Sequence, residues 1–369
     1  MKKKIEILVV EDDTDQFETY QDTARDQSNN DYEIILSHQK SAEAAKLALL
    51  SSNFDGAIVD LNLSSGDPNE ASGNQILEKI IESHRFPVLV VSGNLQNLAD
   101  NIRDKESGFL KFYNRDVTNV EIFTYLKNAF NTGITRILGG RGQIEDWLGS
   151  IFWRHLANDF ENWSPGSLDP ERTLLRYTVS HLSEYLDQPD GKDSFYHDAE
   201  FYIKPPIRKY IATGDIVEKE NIRYVLLSPA CDIAVRDIDE NGDPKINAKR
   251  VILAPLIEVS RNSFVENKII TNDDTSKHIR KIVEEIVKGN RPKYAFLPKY
   301  GDIYPSLIDL QNIHTWSFKD YLTVNRIATI STPFIKDILS QFSSYYGRQG
   351  QPDLDKKLLV WNLTNLLKG

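Results

Sequence analysis

Apolar and polar positions in the first third of the chain alternate between two periods. Short β-rich runs stand at residues 5–10, 32–36, 57–63, 87–91 and 109–113. Between them, Phe17, Tyr20 and Ala24 share one helical face, and Ala44, Leu47, Ala48 and Leu50 cluster on another. Ile76, Leu77, Ile80 and Ile81 form a third stripe, Leu95, Leu98 and Ile102 a fourth, and Val120, Phe123, Leu126 and Phe130 a fifth. Five strands alternating with five helices predict a doubly wound α/β fold: a parallel sheet covered on both faces. Such a sheet binds its ligands beyond the carboxyl ends of its strands.

The pattern changes after the glycine-rich Gly139-Gly140-Arg141-Gly142. An amphipathic helix over 144–156 carries Ile144, Trp147, Leu148, Ile151, Phe152, His155 and Leu156 on one face, a stripe expected to pack on the C-terminal domain. A second helix is predicted over 173–186, after turn residues at 164–166 and 169–170. From about residue 200 to 316 short β-rich runs dominate, at 201–203, 224–227 and 251–254 for example, separated by turn signals such as 239–244. Helices are predicted again over 275–287, 332–345 and 354–367. The organisation expected is a domain at 1–132, a helical connector at 133–190, and an α+β or barrel-like domain at 191–369.

Chemistry gathers at the predicted strand ends. Strand one ends in Glu11-Asp12, strand three in Asp60 and strand four in Ser92, and strand five carries Lys111. Carboxylates brought together repel one another unless a cation sits between them, and hard oxygen donors suit Mg²⁺. Such a cation lowers the charge barrier between a carboxylate nucleophile and a phosphoryl donor. A hydroxyl and an ammonium could then hold the phosphoryl oxygens.

This ordered set resembles the response-regulator receiver domain of two-component signalling, over about residues 1–132. Ile7-Leu8-Val9-Val10-Glu11-Asp12-Asp13 is similar to that family's acidic motif. Ala57-Ile58-Val59-Asp60-Leu61-Asn62-Leu63 is similar to its phosphoacceptor strand, and Val90-Val91-Ser92-Gly93 to its switch segment. The resemblance implies the flavodoxin-like (βα)5 fold, with Asp60 as phosphoacceptor. It makes Asp12 a direct Mg²⁺ ligand, Glu11 a ligand through water, the Asn62 carbonyl a third ligand, and Ser92 and Lys111 the groups that hold the phosphoryl. Its implied partner is a sensor histidine kinase, and its implied output face, also a candidate homodimer surface, is helix four, strand five and helix five, including Leu95, Leu98, Phe112, Tyr113, Phe123 and Lys127. Three departures stand out. Ser64-Ser65 replaces the family's proline, the loop from Gly66 to Ser72 before Gly73 is long, and Phe112 rather than proline follows Lys111, with Phe109 two residues before it.

Charge and composition narrow the output. A formal net charge of −10 over 369 residues argues against broad nucleic-acid or membrane-surface binding. No helix-turn-helix pattern, basic helix or phosphate-cradling glycine loop is present. The single cysteine, Cys231, excludes an intrachain disulfide. Glu6 interrupts the apolar start and Glu11-Asp12-Asp13 ends it early, so this segment is not expected to be a signal peptide, and no run reaches membrane-span length. The expectation is a soluble, cytoplasmic protein.

Cys231-Asp232, just after an apolar strand, is the best candidate for separate chemistry in the C-terminal half, with His197, His278 and His314 in the same region. Against that, a free cysteine is usually buried and structural, and no metal-ligand spacing accompanies it. The segments at 291–298 and 346–353 resemble uncharacterised bacterial proteins, some encoded in phage-defence neighbourhoods. Three roles stay open for this half: an interaction module, an enzyme using Cys231 and Asp232, or an anchor for a receiver that acts as a phosphate sink.

Overall fold

The computed structural model describes residues 2–63, 72–158, 169–187, 195–240, 242–348 and 354–368. The chain divides into two compact units, Met1–Lys192 and Asp193–Gly369. The expected loop from residue 66 (apart from Ser72), the turn at 164–166 and residues 349–353 lie outside the described residues.

The first unit runs β1 (Lys3–Val10), α1 (Thr14–Gln27), β2 (Tyr32–Gln39), α2 (Ala42–Ser51), β3 (Gly56–Val59), α3 (Gly73–Ser83), β4 (Val88–Val91), α4 (Asp100–Arg103), β5 (Leu110–Tyr113) and α5 (Asn119–Asn131). The sheet order is β2-β1-β3-β4-β5, and every pairing is parallel. This is the flavodoxin-like doubly wound fold, whose order reverses beside β1, the place where such sheets bind ligands. Strand parity builds its two cores. Leu8, Val10, Ala57 and Val59 face α2 and α3, while Ile7, Val9, Ile58 and Leu89 face α1 and α5. Burial on both faces is why these strands read as continuous apolar runs rather than alternating ones.

The fourth helix differs from its expected stripe. It is a 3₁₀ turn, Leu95–Asn97, followed by the single turn of α4. Asn74 on α3 causes the break: its amide donates to Asn97 O at 3.0 Å and its carbonyl accepts from Ala99 N–H at 3.2 Å. Those bonds hold Leu98 and Ala99 extended between the two turns. The expected output face is corrected in part. Leu98 and Phe123 are buried in the two cores, and Lys127 donates to Gln27 on α1.

The unit continues with α6 (Ile134–Leu138), α7 (Gln143–Ser150) and α8 (Pro170–Leu186). A π turn, Ile151–Leu156, extends α7. The widened turn breaks the single stripe: Ile151 is buried, whereas Phe152 is exposed. Trp147 stacks on Tyr185 of α8 at 6.0 Å, and His155 Nε2 lies 3.2 Å from the Tyr185 hydroxyl. The stripe thus has a partner in α8.

The second unit is α+β. It runs β6 (Tyr202–Ile203), β7 (Asp215–Lys219), β8 (Ile222–Leu226), β9 (Asp237–Ile238), β10 (Pro244–Lys245), β11 (Arg250–Glu258), α9 (Arg261–Glu266), α10 (Ser276–Val287), β12 (Tyr294–Leu297), β13 (Ser306–Asp309), β14 (His314–Ser317), α11 (Phe318–Leu322), β15 (Asn325–Ile330), α12 (Thr332–Gly347) and α13 (Lys356–Leu367). Its curled antiparallel sheet has the order β12-β13-β11-β8-β7-β15-β6. The long β11 bends it, pairing β14 through Arg250–Leu253 and β13 through Leu256–Glu258. Ile216, Val225, Ala254, Ile308 and Ala328 centre one core under α12. No helix among the described residues is long and apolar enough to cross a membrane.

Candidate functional site

Parallel register brings the expected acids together. Val10 pairs with Val59, so Glu11-Asp12 and Asp60 leave the sheet side by side, and Asp60 N–H donates to Val10 O at 2.9 Å. Carboxylate oxygens of Glu11, Asp12 and Asp60 all lie within 4.8 Å of one another. Asp13 starts α1 beside them, its side chain accepting from Asp15 N–H and Gln16 N–H. Val59 pairs with Val90, which places Ser92 just beyond the end of the adjacent strand. Ser92 is buried, with its N–H donating to Tyr113 O at 3.1 Å.

Gly73 sets how closely α3 approaches the site. Its N–H donates to Leu61 O at 3.0 Å, and a Cβ there would lie 2.3 Å from the Asp60 carbonyl oxygen. Any side chain would push the Asp60 backbone away, which explains the glycine at the end of the long loop.

Lys111 lies away from the acids in this structure. Its strand partner is Leu89, which faces α1 and α5, so the lysine follows that face and its ammonium lies 4.6 Å from the centre of the Tyr125 ring. Among the described residues, the cation that reaches the acids is Arg115, in the turn after β5. Its Nη2 lies 2.5 Å from Asp60 Oδ2 and 3.4 Å from Glu11 Oε1. The missing proline after Lys111 was the sequence signal for this shift: Ser92 bonds to Tyr113, so the turn beside the site begins at Asn114, three residues past Lys111.

The electrostatics follow from burial. Both the Glu11 and Asp60 side chains are 2% exposed, against 40% for Arg115. Desolvation, and next the Asp60 charge, push the Glu11 carboxyl up to about 7 despite Arg115. Burial likewise pushes the neighbouring Tyr20 phenol up to about 12. Three carboxylates against one guanidinium leave two negative charges when all are ionised. The buried Asn62 Oδ1 has no hydrogen-bond partner among the described residues, and Asn62 N–H donates to Asp60 Oδ1 at 3.3 Å. An excess of hard oxygen donors of this charge fits a small divalent cation such as Mg²⁺.

The second candidate does not assemble. Cys231 is exposed rather than buried, because it lies in the turn after β8 rather than on the strand, with Sγ 3.6 Å from Asp232 Oδ1. The histidines are engaged elsewhere: His197 caps a 3₁₀ turn, His278 pairs with Asp274, and His314 packs on Tyr224.

Several solved receiver domains are similar to the N-terminal third of this chain. One from Methylobacillus flagellatus is 18% identical, covering 34% of this chain and 99% of its own, with a TM-score of 0.28. The receiver domain of NtrX from Brucella abortus is 21% identical, covering 34% of this chain and 98% of its own, also at 0.28. A third, the N-terminal domain of a response regulator/sensory box/GGDEF protein from Carboxydothermus hydrogenoformans, is 19% identical, covering 34% and 94% with a TM-score of 0.28. No protein-family model and no curated protein matches the chain.

Proposed function

We propose that the chain is a cytoplasmic response-regulator-like protein whose N-terminal unit takes a phosphoryl group onto Asp60 from a sensor histidine kinase. The observation that carries this reading is the convergence of Glu11, Asp12 and Asp60 at the carboxyl ends of β1 and β3. Asp60 Oδ attacks phosphorus, a P–O bond forms, and the bond from phosphorus to the donor's imidazole nitrogen breaks. Mg²⁺, held by Asp12, Asp60 and the Asn62 carbonyl and through water by Glu11, would offset the charge of nucleophile and phosphoryl together. Ser92 holds a phosphoryl oxygen from the β4 side. Arg115 takes the cation's role that the resemblance gave to Lys111, because it already contacts the acceptor.

The output is an interaction rather than DNA binding, which suits the acidic chain. Beryllofluoride, which mimics an aspartyl phosphate, tests the site without a kinase. With Mg²⁺ it should raise the melting temperature of the wild type and leave Asp60→Ala unchanged. An equal rise in both proteins would remove Asp60 from the acceptor role.

A further inference from the structure

We propose that the C-terminal unit holds a binding site for a small phosphate-bearing molecule, built around Arg326, independent of the Asp60 site. The starting observation is a fully buried carboxylate. Asp215 on β7 accepts five hydrogen bonds: from Ala212 N–H at 2.8 Å, the Tyr321 hydroxyl at 2.7 Å, the Thr329 hydroxyl at 2.6 Å, and Arg326 Nε and Nη2 at 2.8 and 3.0 Å. Burying an ion pair is seldom a net gain in stability over apolar packing. Its definite effect here is positional, because the fork fixes the plane of the Arg326 guanidinium. A third bond, from Nη1 to Arg208 O at 2.6 Å, ties the 204–212 segment to the same group.

Arg326 lines an open cavity of about 440 Å³, together with Arg208, Lys209, Tyr210, Tyr321 and Asn325. Every charged residue lining it is a cation, in a chain of net charge −10. Arg208 and Lys209 are exposed at its rim, and Lys209 lies over the Tyr210 ring at 4.9 Å. Two of the five guanidinium N–H groups of Arg326 remain after the three bonds to Asp215 and Arg208. A guanidinium held by Asp215 with two donors to spare, beside the exposed cations Arg208 and Lys209 and with no carboxylate on the cavity lining itself, matches a phosphate dianion better than a single carboxylate. The cavity's size is that of a small-molecule site, and its concave shape favours a mononucleotide or free phosphate over a nucleic-acid strand.

The test uses the full chain carrying Asp60→Asn, with EDTA, so that the acidic site of the first unit contributes nothing. Calorimetric titration with inorganic phosphate, with AMP and with a short single-stranded oligonucleotide separates the sources. Binding of phosphate alone supports a free-phosphate site, and tighter binding of AMP supports a nucleotide site. In either case Arg208→Ala/Lys209→Ala, two exposed positions that leave the Asp215 network intact, should weaken binding roughly tenfold or more. Binding of the oligonucleotide alone, no binding of any probe, or affinity unchanged by the double substitution would overturn the proposal.

Discussion

Arg115 Nη2 lies 2.5 Å from Asp60 Oδ2, so the guanidinium sits directly on the carboxylate proposed as the phosphoacceptor. The same nitrogen is 3.4 Å from Glu11 Oε1, which makes one cation the counter-charge of two buried acids. Under the proposed function, a cation so placed would oppose a metal ion before transfer and favour a phosphoryl anion after it.

Arg115→Ala should therefore move two affinities in opposite directions. Mg²⁺ binding should tighten by roughly three- to tenfold, since a competing positive charge is lost. Beryllofluoride binding should weaken at saturating Mg²⁺. Lys111→Ala should change neither, because its ammonium lies over Tyr125. Titrations that showed the Lys111 substitution acting alone would return the role to the lysine.

Glu11 predicts a pH dependence of stability. Its carboxyl is raised from 4.5 to about 7 in the folded chain, first by burial and then by Asp60. The folded state thus holds this proton more tightly than the unfolded state does. Its stabilising contribution is complete below about pH 4.5 and is lost as pH rises through 7, a change of about 3 kcal/mol. Urea melts without divalent cation should show that decline, and Glu11→Gln should flatten it.

Gly73→Ala should destabilise the first unit by about 2 kcal/mol or more, because the new Cβ meets the Asp60 carbonyl oxygen at 2.3 Å. It should also slow phosphorylation by displacing the acceptor's backbone. Thermal melts and labelling rates measured on the same variant would show both effects.

Cys231 should react with a thiol reagent in the native protein nearly as fast as after denaturation, since it is exposed. Cys231→Ser should leave the melting temperature within about 1 °C of wild type, as surface substitutions do. A thiol protected until unfolding would restore the buried reading.

The first unit was legible because two-sided burial leaves a plain record. Val9, Ile58 and Leu89 are apolar since each strand is covered on both faces, and the acids mark where it leaves the core. What the chain pattern could not carry was set by contacts distant in sequence. Asn74 breaks the fourth helix from 23 residues away, and the pairing of β4 with β5 decides whether Lys111 or Arg115 reaches Asp60. In the second unit the strands are short and several are half-covered, so their order was illegible. The Asp215–Arg326 pair, 111 positions apart, left no local mark.

Phosphoryl transfer to Asp60 is measured most directly by intact mass. Wild type, Asp60→Asn and Asp12→Ala would each be incubated with acetyl phosphate and Mg²⁺. The wild type should gain one phosphoryl group, Asp60→Asn none, and Asp12→Ala little or none, because a cation ligand has been removed. Equal labelling of wild type and Asp60→Asn, or none in the wild type, would contradict the account.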